Sequence, residues 1–188
     1  MIDLIGFLLF CLLFITTILL IILFLIKLVL SIIKKKPFPK KWLGAALTGF
    51  VLVAGFFLYQ TYFFTFNKID RQNTQKGPGP ISSPSEKYTA NAFYELYGGA
   101  AGGVNVWVEI TENNEAGNIK TIYYSDAKDD FSMKWLDEDT LYILNDNPEY
   151  PDSDRSIKLN VDNEIYDENG RACQSLLMND EFERCYQD

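Results

Sequence analysis

Two groups of residues in this chain have types and spacing suited to chemistry. The first is a cysteine pair near the carboxyl end. Cys173 and Cys185 lie 12 residues apart, a separation that a disulfide closes readily in an oxidising compartment. The second is carboxylate-rich sequence. Asp146, Glu149, Asp152 and Asp154 share one loop, and Asp162, Asn163, Glu164, Asp167 and Glu168 follow. Calcium requires about six to eight oxygens, usually from alternating loop positions with a glycine at the bend. Ile165 breaks that alternation, so solvated acidic loops are the expectation.

Other chemistries lose their residues. The chain has no histidine, which removes the Ser-His and Cys-His nucleophile pairs and His-containing zinc sites. Its three cysteines are too few for a four-thiolate zinc site. Asp139-Thr140 matches half of an aspartic protease motif, but Leu141 stands where glycine is needed and there is no second copy. The glycine-rich stretch Gly98-Gly99-Ala100-Ala101-Gly102-Gly103 lacks the following Gly-Lys-Ser/Thr and helix pattern of a phosphate cradle, and reads as a hairpin connection. Composition and spacing thus supply no catalytic, metal-binding or cofactor-binding residues.

The elements that position these groups begin with a lysine loop. Lys34, Lys35, Lys36, Lys40 and Lys41 flank Pro37-Phe38-Pro39. Apolar runs lie on both sides, about 4–33 and 42–66, each long enough to cross a bilayer core of about 30 Å. Trp42 stands at one end of the second run, and Tyr59, Tyr62, Phe63, Phe64 and Phe66 crowd the other, as interfacial rings do. Gly44, Ala45, Thr48 and Gly49 form a small-residue strip suited to close helix contact. The first run fits a cleaved signal poorly, because Asp3 precedes it without any Lys or Arg and no small-residue cleavage site follows. Lysine bias toward the connecting loop predicts a cytoplasmic loop. The expected location is the cell membrane, multi-pass, with both termini and the C-terminal domain extracytoplasmic.

Charge divides the chain in two. Residues 1–66 carry six basic and one acidic group, a net +5; residues 67–188 carry 11 basic and 24 acidic groups, a net −13. The acidic half argues against nucleic acid as a partner, since phosphates need Lys and Arg. Residues 67–87, rich in Pro, Gly and Ser, read as a flexible linker. From Tyr88 the apolar period becomes two. Strands are expected over 88–96, 104–111, 119–125, 131–136, 140–144 and 157–161. Together they make a small mainly-β ectodomain, an antiparallel meander of about six strands over 88–161. Phe93, Tyr97, Trp107, Tyr123 and Tyr142 form a possible interaction face on its second side. A C-terminal segment, 162–188, is expected to hold a short helix with Leu176, Leu177 and Phe182 on one face, closed by the Cys173–Cys185 disulfide.

Three stretches then carry a resemblance: Ser83-Pro84-Ser85-Glu86-Lys87-Tyr88-Thr89-Ala90, Ile122-Tyr123-Tyr124, and Lys134-Trp135-Leu136-Asp137-Glu138-Asp139-Thr140-Leu141-Tyr142-Ile143. Over about residues 83–161 the chain resembles an uncharacterised family of membrane-anchored proteins, mostly of Gram-positive bacteria, known only as a domain of unknown function. The resemblance implies a small extracytoplasmic β domain and assigns no catalytic residues. The function expected is a non-catalytic interaction or accessory module of the cell envelope. Its partners would be the lipid bilayer and another membrane or envelope protein. Two alternatives stand beside it: an envelope hydrolase using a carboxylate pair, and an immunity or stress protein acting at the membrane.

Overall fold

A computed structural model describes residues 4–69, 71, 74–99, 102–113 and 117–188. It divides into two compact units, Met1–Thr61 and Tyr62–Asp188.

The first unit is a helical hairpin of α1 (Leu4–Ile33) and α2 (Lys40–Tyr62), both long and apolar enough to cross a membrane. Helix α1 ends in a Schellman motif. The Lys36 amide donates to the Ser31 carbonyl and the Lys35 amide to that of Ile32, with Lys35 left-handed at φ 49°. The Ser31 hydroxyl adds bonds to the carbonyls of Lys36 (2.6 Å) and Pro37 (3.0 Å) and ties the loop back to the helix. The two helices meet where Ala46 and Gly49 are buried, and a Cβ on Gly49 would lie 2.7 Å from the Thr17 hydroxyl. Gly44 has open space around it and Thr48 is exposed, so only part of the small-residue strip makes the contact. Phe10 completes it, stacking on Phe56 at 4.5 Å and meeting Phe57 edge-on at 5.3 Å.

Among its described residues the second unit has ten strands in two sheets. Six coincide with the expected ones: β3 (Tyr88–Tyr97), β4 (Gly103–Glu112), β5 (Ile119–Asp126), β6 (Asp130–Trp135), β7 (Thr140–Asp146) and β8 (Ile157–Asn160). They do not form one meander. β6-β7-β8 make a separate antiparallel sheet, because the free edge of β5 is taken by β9 (Glu164–Asp167), which runs parallel to it. β10 (Arg184–Tyr186) pairs in parallel with β9. On the far side, β1 (Thr74–Lys76) and β2 (Ile81–Ser82) both pair with β3. Within the expected flexible linker 67–87, residues 74–76 and 81–82 are instead strands on the edge of the large sheet. Gly77, Pro78, Gly79 and Pro80 interrupt that edge between its two strands, and proline belongs on an edge because it cannot donate to a ladder.

Alternation builds the core between the sheets. Tyr88, Ala90 and Ala92 of β3 and Val106, Val108 and Ile110 of β4 pack with Leu141 and Ile143 of β7, Leu159 of β8, and Val161. Each branched chain so buried contributes about 1.5–3 kcal/mol. A bulge in β5 leaves Ile122 without a partner on β4, and both Ile122 and Tyr123 are buried. Polar clamps join the sheets at both ends. At one, Trp135 stacks on Tyr88 and its indole N–H donates to the Ile81 carbonyl at 3.1 Å. At the other, the buried Asn145 amide donates to the Tyr123 hydroxyl (2.7 Å) and the Asp126 carbonyl (2.9 Å).

The C-terminal helix is shorter than expected. It breaks into α3 (Arg171–Gln174) and α4 (Leu176–Glu181) at Ser175, whose hydroxyl accepts the Met178 amide and donates to the Phe64 carbonyl. Its apolar face also differs: Ala172, Met178 and Phe182 are buried, whereas Leu176 and Leu177 are exposed. The break and the turn into β10 bring the Cα atoms of Cys173 and Cys185 to 5.2 Å, and their sulfurs are bonded.

Candidate functional site

The five aromatic residues expected to share one face do not. Strand register puts Phe93 and Trp107 together on the outer face of the large sheet, next to Tyr124. Trp107 is 0 % exposed, stacks on Phe93 at 5.7 Å, and donates its indole N–H to Glu109 at 3.2 Å. Glu109 is held in turn by Arg71 at 2.9 Å. Phe66, 3 % exposed, stacks on Tyr124, and burial pushes the Tyr124 phenol up to about 12. At Tyr124 the outer face is thus covered by Phe66, a residue that the apolar pattern assigns to the second span. α2 ends at Tyr62, and Phe64 and Phe66 belong to the β unit.

Tyr123 lies in the core on the opposite face, stacked on Tyr166 at 5.0 Å. Burial holds its phenol well above the ordinary tyrosine range. Tyr142 belongs to β7 of the other sheet and sits between Lys134 and Lys158 in register. Of the five, only Tyr97 is exposed, at 42 %. Its hydroxyl donates to Asp126 at 3.0 Å.

The acidic runs are also dispersed. Asp154 caps the Ser156 amide at 2.8 Å, and Asn147 caps that of Glu149. The Asp154 carboxyl is held below its ordinary range, by the Ser156 hydroxyl first and then its amide. Asp167 is buried and accepts the Ala172 amide at 2.7 Å; burial raises its carboxyl despite that bond. Burial also works against the charge of Glu168. The Asp126 amide (2.7 Å), the Arg155 guanidinium (2.8 Å) and the Ser125 hydroxyl (2.8 Å) outweigh it and keep the group below the usual glutamate range. Arg155 also pairs with Asp188. Among the described residues no three His, Cys, Asp or Glu side chains converge as metal ligands. Glu115 and Asp70 lie outside the described residues.

One cleft in the β unit has the form of a recognition site. It measures about 400 Å³ and opens where β3 and β4 approach their hairpin. Tyr94, Leu96, Val104 and Phe131 give it apolar walls, and Lys128 and Asp129 a charged rim. Tyr94 and Phe131 meet edge-to-face at 5.8 Å. The Asn145 side-chain oxygen accepts the Lys128 backbone amide at 2.8 Å, and the Asn147 side chain donates to the Asp129 carboxylate at 2.7 Å. Leu96 is 69 % exposed and stands beside Tyr97 on the same hairpin end. Burial raises the Tyr94 phenol above its ordinary range. Apolar walls with a charged rim can hold an apolar side chain of a partner and orient it by charge. Sequence reasoning missed this cleft because its walls come from β3, β4 and β6, which lie in two different sheets.

No curated protein and no solved structure matches the chain. A family model does, over residues 38–170. That match takes in the lysine loop's end, α2 and most of the β unit, more than half of the sequence, and the chain belongs to the family of unknown function DUF5412.

Proposed function

We propose that this protein is a membrane-anchored, extracytoplasmic interaction module that engages another membrane or envelope protein through the cleft beside Leu96. The reading rests on one observation above the others: a large apolar side chain left mostly in water at the mouth of an apolar-walled cleft with Lys128 and Asp129 on its rim. The anchor is supported by two helices of spanning length around a loop with five lysines. The cytoplasmic side goes to that loop by the lysine bias, which sends both termini and the β domain outward. A bonded Cys173–Cys185 pair agrees with a domain that works outside the reducing cytosol.

Two measurements test it. Single cysteines at the exposed Ser85 and Lys36, in a Cys11→Ser background, are labelled in intact cells with an impermeant thiol reagent. Labelling at 85 alone is expected; labelling at 36 alone overturns the orientation. A photo-reactive residue is then placed at Leu96, and in a control at the exposed Leu136, about 16 Å further along β6 than Phe131 at 3.3 Å per residue. A discrete crosslinked species from Leu96 only is expected. Equal crosslinking at both positions, or none at Leu96, removes the cleft as an interaction site.

A further inference from the structure

The helical hairpin holds a second cleft, of about 650 Å³, at its lysine loop. Lys27, Lys34, Lys36, Lys40 and Lys41 all line it, with Leu30, Phe38 and Trp42 as its apolar wall. Lys35 alone of the loop lysines does not. The Schellman turn accounts for this, since its left-handed residue at φ 49° reverses the chain between Lys34 and Lys36. Orientation in a membrane needs only lysines near the helix ends and is indifferent to where they point. That five of them line one open cleft is a separate feature. The hairpin offers their charges no acidic partner. Residues 4–66 contain no Asp or Glu, and among the described residues none of these lysines makes an ion pair. The first turn of α2, Lys40 and Lys41 included, adds the positive end of that helix's dipole and has no acidic residue.

We infer that this cleft binds the phosphate-bearing headgroup of an anionic glycerophospholipid. The inference rests on the membrane reading above. A phosphate satisfies the lysines and the α2 amino terminus together. The apolar wall and the exposed Ile32 and Ile33 beside it suit a ligand with acyl chains, and a free phosphate has no use for them. The Ser31 hydroxyl, bonded to the carbonyls of Lys36 and Pro37, holds the cleft's floor in shape without ligand. The site would favour one leaflet's anionic lipid at the loop and fix the depth of the hairpin there.

The test uses the full chain in a neutral detergent, where orientation in a bilayer plays no part. Native mass spectrometry counts retained lipid during titration with phosphatidylglycerol or phosphatidylcholine, and inorganic phosphate is added as competitor. The expected result is retention of phosphatidylglycerol over phosphatidylcholine, with little displacement by millimolar phosphate. Lys36→Gln and Lys40→Gln should each weaken retention about fivefold, the effect of one lysine near an anionic headgroup. Lys35→Gln, an equal loss of charge outside the cleft, should leave it unchanged. Equal loss in all three variants means diffuse attraction by the loop and overturns the site. Equal retention of both lipids overturns the headgroup assignment. Full displacement by phosphate makes the ligand a free anion and overturns the lipid. Circular dichroism confirms that each variant keeps its helices. The thiol labelling reports orientation independently, so either result can fail without the other.

Discussion

Replacing Trp107 with alanine separates a buried structural face from a binding face. Trp107 is 0 % exposed, so the change removes a whole indole from a packed environment. Buried Trp→Ala changes cost about 3–5 kcal/mol, from lost transfer energy and the cavity left behind. That range includes the Phe93 stacking contact at 5.7 Å and the bond to Glu109 at 3.2 Å. Glu109 keeps its Arg71 partner at 2.9 Å, so no uncompensated buried charge is added. Domains of this kind have about 5–15 kcal/mol of stability in total, so about a fifth or more is at stake. For a unit of this size the loss corresponds to a fall in melting temperature of at least about 10 °C. The assay is thermal unfolding of the full chain in detergent, followed by near-UV circular dichroism, with Tyr97→Ala beside it. Tyr97 is 42 % exposed and gives up chiefly one hydroxyl bond to Asp126, worth about 1 kcal/mol. A Trp107→Ala melt within a degree or two of the parent, or one that moves less than that of Tyr97→Ala, would refute the burial of the outer sheet face.

Three further outcomes follow from the same geometry. Replacing both Cys173 and Cys185 with serine should lower stability by about 2–4 kcal/mol and selectively loosen the tail, read as faster amide exchange over 171–186. Glu86 is left-handed at φ 59° in the turn before β3, so Glu86→Gly should raise the melting temperature by a few degrees, as relief of about 1–2 kcal/mol of backbone cost exceeds the entropy glycine adds to the unfolded chain. Glu168 has a folded pKa below its unfolded value, so its contribution is complete above about pH 4.5 and is lost as pH falls through the folded value; Glu168→Gln should flatten that acid loss in a pH series of melts, and an unchanged pH slope would count against the Arg155 and Ser125 contacts.

Local patterns were legible in the sequence wherever one stretch of chain decides its own structure. The period-two runs of Val104–Ile110 and Thr140–Leu144 became strands, and α1 runs over the expected 4–33. The errors arose where a signal serves two environments. Phe64 and Phe66 suit a membrane interface and a β core equally well, so the apolar run did not mark where α2 stops. The pairing of β9 between β5 and β10 is long-range, and nothing local to Glu164–Asp167 announces a parallel strand. The alternation that put Trp107 and Tyr123 on one face failed through the single unpaired residue Ile122 in β5, which shifts the rest of that strand by one position. The cysteine pair was legible because spacing alone made closure feasible; the break at Ser175, which makes the geometry short enough, was not.

The covering of the outer sheet face bears on how the chain enters the β unit. An isolated tether would leave Phe93, Trp107 and Tyr124 to be covered by a partner. Here the segment directly after α2 does so, with Phe66 on Tyr124 and Arg71 on Glu109. Ser175 then fastens the Phe64 carbonyl to the C-terminal tail at 2.7 Å, and the Cys173–Cys185 bond closes that tail. The chain's entry into the β unit is therefore part of its core, and shortening or replacing residues 64–71 would cost folding energy as well as reach. Phe93, Trp107 and Tyr124 are taken up by this packing. The proposed recognition site is on the other face of the same sheet, toward the β3–β4 hairpin, where Leu96 is mostly exposed at the mouth of the cleft.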